Sequence, residues 1–360
     1  MSREQSRRVI GGDFELDQLS LAPVEQLDRL TRGLKGRWTT SGRGALALVL
    51  KELRHRGVRH VHLPAYLCES VIQPVRALGF DFSFYPVDLS LTAQPDPPAG
   101  ACLLVIHYFG WMNRAVDSLR TQVSPKFPLI EDAVQALLSD WSAPENESRF
   151  VILSPRKFGP AILGGWCSVA GTEDDEAVEK VPGEVGPVIW RGLAARLARG
   201  AYLRDAEGAI EERVEDFYLA ALGAVEKFLD QHPTHASVPR LVLEQMAGVD
   251  WERVARRRRE NWLQLRELLA GRVEALHHEL PEGVVPLGYL VALKERDRVR
   301  AALAAERIFC PVHWPLPREV ERRNFPAAAA LSETCLTLPV DQRYGPEEMS
   351  RLAEALLAAL

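Results

Sequence analysis

From residue 43 the chain alternates between amphipathic segments and short apolar runs rich in Val, Ile, Leu and Phe. This alternation is typical of βαβ units and predicts a mainly parallel sheet covered by helices. The spacing predicts helices over Gly44–Arg56 and Cys68–Leu78. Strands, bounded by Gly, Pro or charged turns, are predicted over Val58–Leu63, Phe82–Val87, Cys102–His107, Leu129–Glu131, Phe150–Leu153 and Trp166–Ala170.

The pattern changes after Gly171. Residues 172–187 are acidic and rich in turn formers, which predicts a loop. Helical spacing returns over Glu215–Leu229 and Trp251–Leu269. A strand-like run, Val284–Leu293, then opens a smaller unit, which two further helices and Cys335–Val340 complete.

The breaker-rich stretch HPTHASVPR places a domain boundary near residue 240. We therefore expect a large domain over 1–240, with an N-terminal arm over about 1–38, and a small C-terminal domain over 241–360.

The composition argues against a nucleic-acid-binding, membrane-spanning or exported protein. A net charge of -5 gives no basic footprint for nucleic acid, and the local run Arg256–Arg259 is interpreted as a solvated helix face. No apolar run reaches the length of a membrane span or signal peptide. Five widely spaced cysteines without a CxxC pair suggest neither zinc nor a disulfide framework, and we expect a cytoplasmic protein.

Lys157 is the first candidate for chemistry. Only seven of the 44 basic residues are lysines, and a primary amine can condense with an aldehyde whereas guanidinium cannot. Lys157 follows the predicted strand Phe150–Leu153, and the pair Gly164-Gly165 permits close backbone approach to a bound ring or phosphate. The alternative interpretation is a surface lysine in a hairpin loop.

Asp132 is the second candidate, at the end of another predicted buried strand. A buried carboxylate needs a cationic partner, and the protonated pyridine nitrogen of pyridoxal phosphate (PLP) would be one. The alternative is a helix N-cap, a position that Asp favours.

The stretch from Thr39 to Leu46 offers backbone NH groups at the start of a helix, a suitable cradle for a phosphate. The same residues also spell GxGxxA, the dinucleotide fingerprint, but the next strand ends in His62-Leu63-Pro64 without the acid that would bind a ribose. Ser154 and Lys157 match SxxK, yet SDN, KTG and GxSxG are missing from the sequence. His277-His278-Glu279 lacks the spacing of a metal site, so no metal is expected.

Taken together, these segments resemble the DegT/DnrJ/StrS family of PLP-dependent aminotransferases. The resemblance runs through SGRGAL, LPAYLCESVIQPVRALGFDFSFYPVD, IHYFG with His107, IEDAVQA and SPRKFGPAILGGW. It resumes with RRRRENWLQL, PVHWPLP and LTLPVDQRYGPEEMSRLAEAL.

The resemblance implies an α/β architecture: the PLP-dependent transferase fold type I, with a mainly parallel central sheet, helices on both faces and a smaller C-terminal α+β domain. It implies that Lys157 is the internal aldimine lysine, that Asp132 partners the pyridine nitrogen and that Gln135 bonds the ring. Gly42 and Arg43, with Ser41, would meet the phosphate, and His107 would lie at the cofactor. A homodimer with shared active sites, glutamate as amino donor and a nucleotide-linked keto sugar as acceptor are also implied.

Several positions depart from the family pattern. Arg43 stands where a small hydroxyl residue is usual, and Cys68 stands where an aromatic ring usually stacks, with Tyr66 nearby as a substitute. Ile152 replaces a serine, so Ser154 would supply that phosphate contact. The stretch 172–235 lacks the segment that reaches the partner's site in the family.

Three functions remain open from the residues alone. Transamination is the leading one. The same electron sink also serves elimination, racemisation or another amino-acid conversion, and a non-catalytic PLP-binding protein would retain the scaffold.

Overall fold

The computed structural model describes residues 9–142, 146–169, 183, 185–205, 210, 213–234 and 237–360. The part before residue 170 supplies the strands of the main sheet. Its elements are β1 (Ile10–Gly11), α1 (Asp28–Thr31), β2 (Arg37–Thr39), α2 (Gly42–His55), β3 (His60–Pro64), α3 (Glu69–Ala77), β4 (Asp81–Tyr85), β5 (Cys102–Ile106), α4 (Val116–Arg120), β6 (Leu129–Asp132), β7 (Arg149–Leu153) and β8 (Gly165–Cys167).

The rest of the chain is mostly helical. Its elements are α5 (Val185–Arg204), α6 (Arg213–Gln231), α7 (Arg240–Ala247), α8 (Trp251–Leu269), β9 (Tyr289–Ala292), α9 (Arg296–Ala305), β10 (Ile308–Phe309), α10 (Pro326–Thr334), β11 (Cys335–Leu338) and α11 (Pro346–Ala359). Among the described residues, no helix combines the length and apolar character needed to cross a membrane.

Within the described part of the chain, the main sheet has seven strands in the order β2-β8-β7-β6-β5-β3-β4. Strands β3 to β7 run parallel, whereas β8 pairs antiparallel with both β7 and β2. The carboxyl ends of β5, β6 and β7 therefore meet at one edge of the sheet, the edge at which α/β sheets bind ligands.

Alternating side chains of β7 separate two hydrophobic cores. Phe150 and Ile152 pack into one core with α2 and α3. Val151 and Leu153 pack into the other with α5, α6 and α7. The predicted sheet with helices on both faces is thereby confirmed, because successive strand residues point to opposite faces.

A third core joins α9, α11, β9 and β11 with the C-terminal half of α8. Trp251 and Val254, at the start of α8, belong instead to the core that contains α5 and α6, whereas Trp262 and Leu265 belong to the third. Helix α8 thus connects the two units, and a domain boundary near residue 240 stays a prediction.

The predicted bounds of two segments were wrong. Val185–Pro187 form the first turn of α5 instead of a loop, a turn in which proline is tolerated because its missing NH would have no helical partner. In the run Val284–Leu293 only Tyr289–Ala292 is a strand, since Pro286 and Gly288 interrupt the ladder. Ala170 and most of the loop predicted at 172–187 lie outside the described residues.

The basic run on α8 is also not a uniformly solvated face. Arg258 is 1% exposed, and its guanidinium group lies 4.7 Å from the centre of the Phe158 ring. It donates to the carbonyl oxygens of Leu287 at 3.0 Å and Phe158 at 3.4 Å. Gln342 donates a second hydrogen bond to the Phe158 carbonyl at 2.9 Å, so side chains of the C-terminal part hold the residue next to Lys157.

Candidate active site

A cavity of about 250 Å³ lies at the carboxyl ends of β5, β6 and β7, beside the start of α2. Most of the residues that the sequence singled out meet in its wall, although they come from distant segments. They are Ser41, Gly42, Arg43, Cys68, Asp132, Gln135, Ser154 and Lys157. The predicted residues Tyr66 and His107 are not part of this wall.

The turn before α2 is fixed from both sides. Ser41 is the N-cap of α2, and its hydroxyl oxygen accepts a hydrogen bond from the Gly44 backbone NH at 3.2 Å. A Cβ added at Gly165 would lie 2.2 Å from the Ser41 carbonyl oxygen, so only glycine allows β8 to pack this closely. The glycine pair therefore places the turn, and Ser41, Gly42 and Arg43 at the start of α2 line the cavity, a position that favours an anion.

Asp132 ends β6 and is almost fully buried. Its Oδ1 accepts a hydrogen bond from the Val134 backbone NH at 3.0 Å, a local turn contact of the kind that the N-cap alternative implied. Burial raises the pKa of Asp132 to about 6, although this hydrogen bond and the charge of Lys157 act in the opposite direction. Within the described residues no cationic side chain forms an ion pair with it, so the buried carboxylate lacks a contacting counter-charge.

Gln135 follows Asp132 and is also buried, at 2% exposure. Its Oε1 accepts a hydrogen bond from the Phe109 backbone NH at 3.0 Å, which fixes the orientation of the amide. Its Nε2 is buried without a hydrogen-bond partner among the described residues. A buried donor of this kind is costly unless a ligand or water accepts from it.

Lys157 ends a short 3-10 helix, Pro155–Lys157, that directly follows β7. Its side chain is exposed and reaches the cavity. Ser154, one turn earlier, donates its hydroxyl proton to the Gly164 carbonyl at 2.8 Å and so ties the lysine turn to the glycine pair. The side-chain amine of Lys157 is therefore accessible, and the hydrogen bond of Ser154 holds the backbone turn that carries it.

Two residues that were predicted to contact the cofactor, His107 and Tyr66, do not line the cavity. His107 is fully buried, with Nε2 2.9 Å from Glu131 Oε2, and its Nδ1 accepts a hydrogen bond from the Asn113 backbone NH. Tyr66 is also fully buried, and its hydroxyl donates to the His313 carbonyl. Both side chains support the residues around the cavity instead of facing it.

Several other residues of the wall were not singled out from the sequence, among them Arg156, Glu226 and Trp314. The Trp314 ring lies 5.4 Å from that of Tyr66 and is stacked at 6.3 Å on that of Phe109. Trp314 therefore brings an aromatic ring to the cavity wall that also contains Cys68. The only signal in the sequence was its place in the segment PVHWPLP.

The residues present fit PLP. The unpartnered Gln135 Nε2 and the carboxylate of Asp132, which lacks an ion pair, both lie in the wall that also contains Lys157. An anion cradle at Ser41 and Gly42 completes the set of groups that such a cofactor needs.

Comparisons with known proteins bear on the fold and on the C-terminal part of the chain. The model of the DegT/DnrJ/EryC1/StrS aminotransferase family matches residues 236–357. No match was found among curated proteins at the level of sequence.

Solved structures extend the likeness to nearly the whole chain. The aminotransferase TlmJ from Streptoalloteichus hindustanus is 16% identical with a TM-score of 0.63, covering 98% of this chain and 98% of that one. The sugar aminotransferase CalS13 from Micromonospora echinospora is 16% identical with a TM-score of 0.59, covering 96% and 100%. Spr1654 from Streptococcus pneumoniae, assigned as a sugar aminotransferase and solved in its PLP form, is 17% identical with a TM-score of 0.63, covering 97% and 93%.

At these identities the structures show the fold, which is the expected fold type I. The family model supplies the sequence match over the C-terminal third. The chain therefore has fold type I, and its C-terminal third is similar in sequence to the DegT/DnrJ/EryC1/StrS aminotransferase family, in line with the predicted resemblance.

Proposed function

We propose that this protein is a PLP-dependent aminotransferase that moves an amino group from glutamate to a nucleotide-linked keto sugar. The observation that carries the proposal is the meeting of Lys157 and Asp132 in one cavity wall, with Asp132 buried and lacking an ion pair among the described residues. If Lys157 were only a surface lysine and Asp132 only a helix N-cap, the two side chains would have no reason to lie in the same cavity wall.

Five groups would hold the cofactor. The Lys157 amine would hold its aldehyde carbon, the Asp132 carboxylate its ring nitrogen, and Gln135 Nε2 an oxygen of the ring. The backbone NH groups at Gly42 would hold its phosphate, and the Ser154 hydroxyl would also donate to it after releasing its hydrogen bond to the Gly164 carbonyl. When bound, PLP supplies an aldehyde that condenses with amines and a ring that accepts electrons released at the substrate α-carbon.

The protein's own groups then orient the reactants and move the proton. Lys157 Nζ removes a proton from the α-carbon of the amino donor, and in the second half of the cycle it returns one to the carbon of the acceptor. Asp132 stays negatively charged while a cation lies beside it. Burial, with the charge of Lys157, lowers the pKa of His313 to about 3, so this ring adds no second positive charge. Trp314 and the rings packed on it exclude water from one side.

Separate observations support the acceptor, the assembly and the compartment. Solved structures that share the fold include sugar aminotransferases, which favours a keto sugar as acceptor. The half-exposed apolar side chains of Trp190 and Phe217 on α5 and α6 suit a homodimer contact. The five cysteines are all free of disulfides, which suits the cytoplasm.

Covalent labelling tests the proposal. After incubation with PLP and reduction with borohydride, we expect the peptide that contains Lys157 to carry the cofactor's added mass. Lys157→Ala should lose the label and, since general acid–base catalysis contributes this much, about 10²–10⁴-fold in activity. The surface variant Lys126→Ala should keep both.

A second assay separates transamination from other reactions of the same cofactor. Glutamate should convert bound PLP stoichiometrically to pyridoxamine phosphate. An unmodified Lys157 peptide after reduction would refute the proposal. Labelling without conversion by any donor would instead favour elimination, racemisation or a non-catalytic protein.

A further inference from the structure

One end of the cavity carries an unusual concentration of positive charge. Arg43, Arg156 and Lys157 all contribute to its wall. Both arginines are paired with carboxylates of a single helix, α6, on which Glu226 and Asp230 lie one turn apart. Residues four apart on a helix share a face, so α6 presents two negative charges to two positive ones.

In the ion pair between Arg43 and Asp230, the arginine is much more buried than the aspartate. Arg43 Nη2 lies 2.7 Å from Asp230 Oδ1, and Arg43 Nε donates to Gln73 Oε1 at 2.6 Å. The Arg43 side chain is 14% exposed, whereas that of Asp230 is 51% exposed. The guanidinium group therefore belongs to the wall, and its carboxylate partner lies largely in water.

The pair at Arg156 has the same form. Its Nη2 contacts Glu226 Oε1, with side-chain exposures of 17% and 52%. Arg156 Nε is buried and has no hydrogen-bond partner among the described residues. Burial acts to raise the pKa of Glu226, but the charges of Arg156, Arg43 and Lys157 outweigh it and lower that pKa. Glu226 thus lies within the field of all three cations.

Replacing the two carboxylates by another anion at these arginines should cost little free energy. A half-exposed carboxylate that loses its partner is solvated by water, and such pairs contribute little to stability. A phosphate monoester carries more charge than one carboxylate and offers three acceptor oxygens, so it can bind both guanidinium groups and the free Nε.

We propose that Glu226 and Asp230 are internal competitors for Arg43 and Arg156, and that the cofactor's phosphate displaces them when it binds at Ser41 and Gly42. Helix α6 would then tune the affinity for the cofactor, while Arg43 and Arg156 supply phosphate contacts from the same subunit. This inference rests on the proposed function and concerns only the phosphate.

The test compares pyridoxamine phosphate with pyridoxamine, which differ by the phosphate alone and need no bond to Lys157. Binding is measured by calorimetry on protein freed of cofactor with hydroxylamine. We expect Arg43→Gln and Arg156→Gln each to weaken binding of pyridoxamine phosphate about ten- to a hundredfold. Glu226→Gln and Asp230→Asn should each tighten it about two- to fivefold. Pyridoxamine binding should not change in any of the four.

Glu52→Gln is the matched control, since it removes an Arg–Glu pair of 2.7 Å on α2 outside the cavity wall. It should change neither affinity. Thermal melting confirms that each variant folds, and Arg43→Lys and Arg156→Lys should recover part of the binding if charge is what matters.

The outcomes separate the two proposals. Weaker binding of pyridoxamine phosphate by Glu226→Gln, or equal effects on both ligands, would overturn the competition and leave the aminotransferase proposal intact. If the unsubstituted protein binds neither ligand, the proposed function fails, and this inference fails with it. Inhibition of pyridoxamine phosphate binding by inorganic phosphate, weakened in Arg156→Gln, would support the same phosphate subsite.

Discussion

Glu131 and Asp132 are consecutive residues at the end of β6, and both are buried, yet their surroundings are opposite. Glu131 contacts Arg149 at 2.5 Å, Arg120 at 2.8 Å and His107 at 2.9 Å. These partners outweigh the effect of burial and hold its pKa well below the usual range. Asp132 has no such partner among the described residues, and burial raises its pKa to about 6.

The difference follows from the pleat of the strand. Successive side chains point to opposite faces of a sheet, so one carboxylate enters the packed interior and the other enters the cavity. A buried charge surrounded by partners belongs to the architecture, whereas a buried charge without a cation indicates a ligand site. The comparison separates these roles for two neighbouring acids.

Removing the charge of Glu131 should have the largest effect. Glu131→Gln leaves the buried Arg149 without a carboxylate partner among the described residues and Arg120 with only the exposed Asp117, and we expect a loss of about 3–5 kcal/mol in the free energy of unfolding. Urea denaturation measures this loss. Asp117→Asn is the control, because the same Arg120 pairs with this 90% exposed side chain at 3.3 Å, and it should cost less than about 0.5 kcal/mol. Equal losses would contradict the distinction.

Asp132→Asn should act on activity instead of folding. Losing an electrostatic partner in an active site typically costs about 10²–10³-fold in kcat, and we expect a loss of that size. The variant should still be labelled at Lys157 with borohydride and should denature in at least as much urea as the unsubstituted protein. Full activity with unchanged pH dependence would remove Asp132 from the site.

The pH dependence of stability should show the smallest effect. The folded-state pKa of Asp132 is raised above its unfolded value, so its contribution is present at low pH and is lost as the pH rises through about 6. Without cofactor, the protein should lose about 1–2 kcal/mol relative to Asp132→Asn between pH 5 and 7.5. Urea titrations at several pH values measure this. Saturation with PLP should abolish the difference, and parallel profiles without cofactor would contradict an uncompensated carboxylate.

Local patterns predicted most strands of the main sheet, a helix from Gly44 and the candidates Lys157 and Asp132, because strand periodicity and turn residues are properties of neighbouring positions. The short edge strand β2 was not predicted. Glu226 and Trp314 were missed, since they reach the cavity from α6 and from the loop after β10. Trp314 lies in the segment PVHWPLP, but that segment does not show which of its side chains reaches the cavity. Arg258 was misjudged for the same reason, because a charged residue at helical spacing is ordinarily solvated.

His107 shows the limit of inference from a family segment. Its position in the IHYFG segment is at the end of a buried strand, as expected, but its ring nitrogens are engaged by Glu131 and Asn113. The segment identifies where the backbone goes, whereas the direction of a side chain depends on partners elsewhere in the fold.

The carbonyl of Phe158 accepts hydrogen bonds from Arg258 and Gln342, residues separated from it by 100 and 184 positions. The peptide unit that follows Phe158, one residue beyond Lys157, is therefore held by two segments of the C-terminal part. A chimera that exchanged this part for a relative's would have to provide both donors, or the lysine would lose its anchorage even though every residue of the cavity's sheet edge was kept.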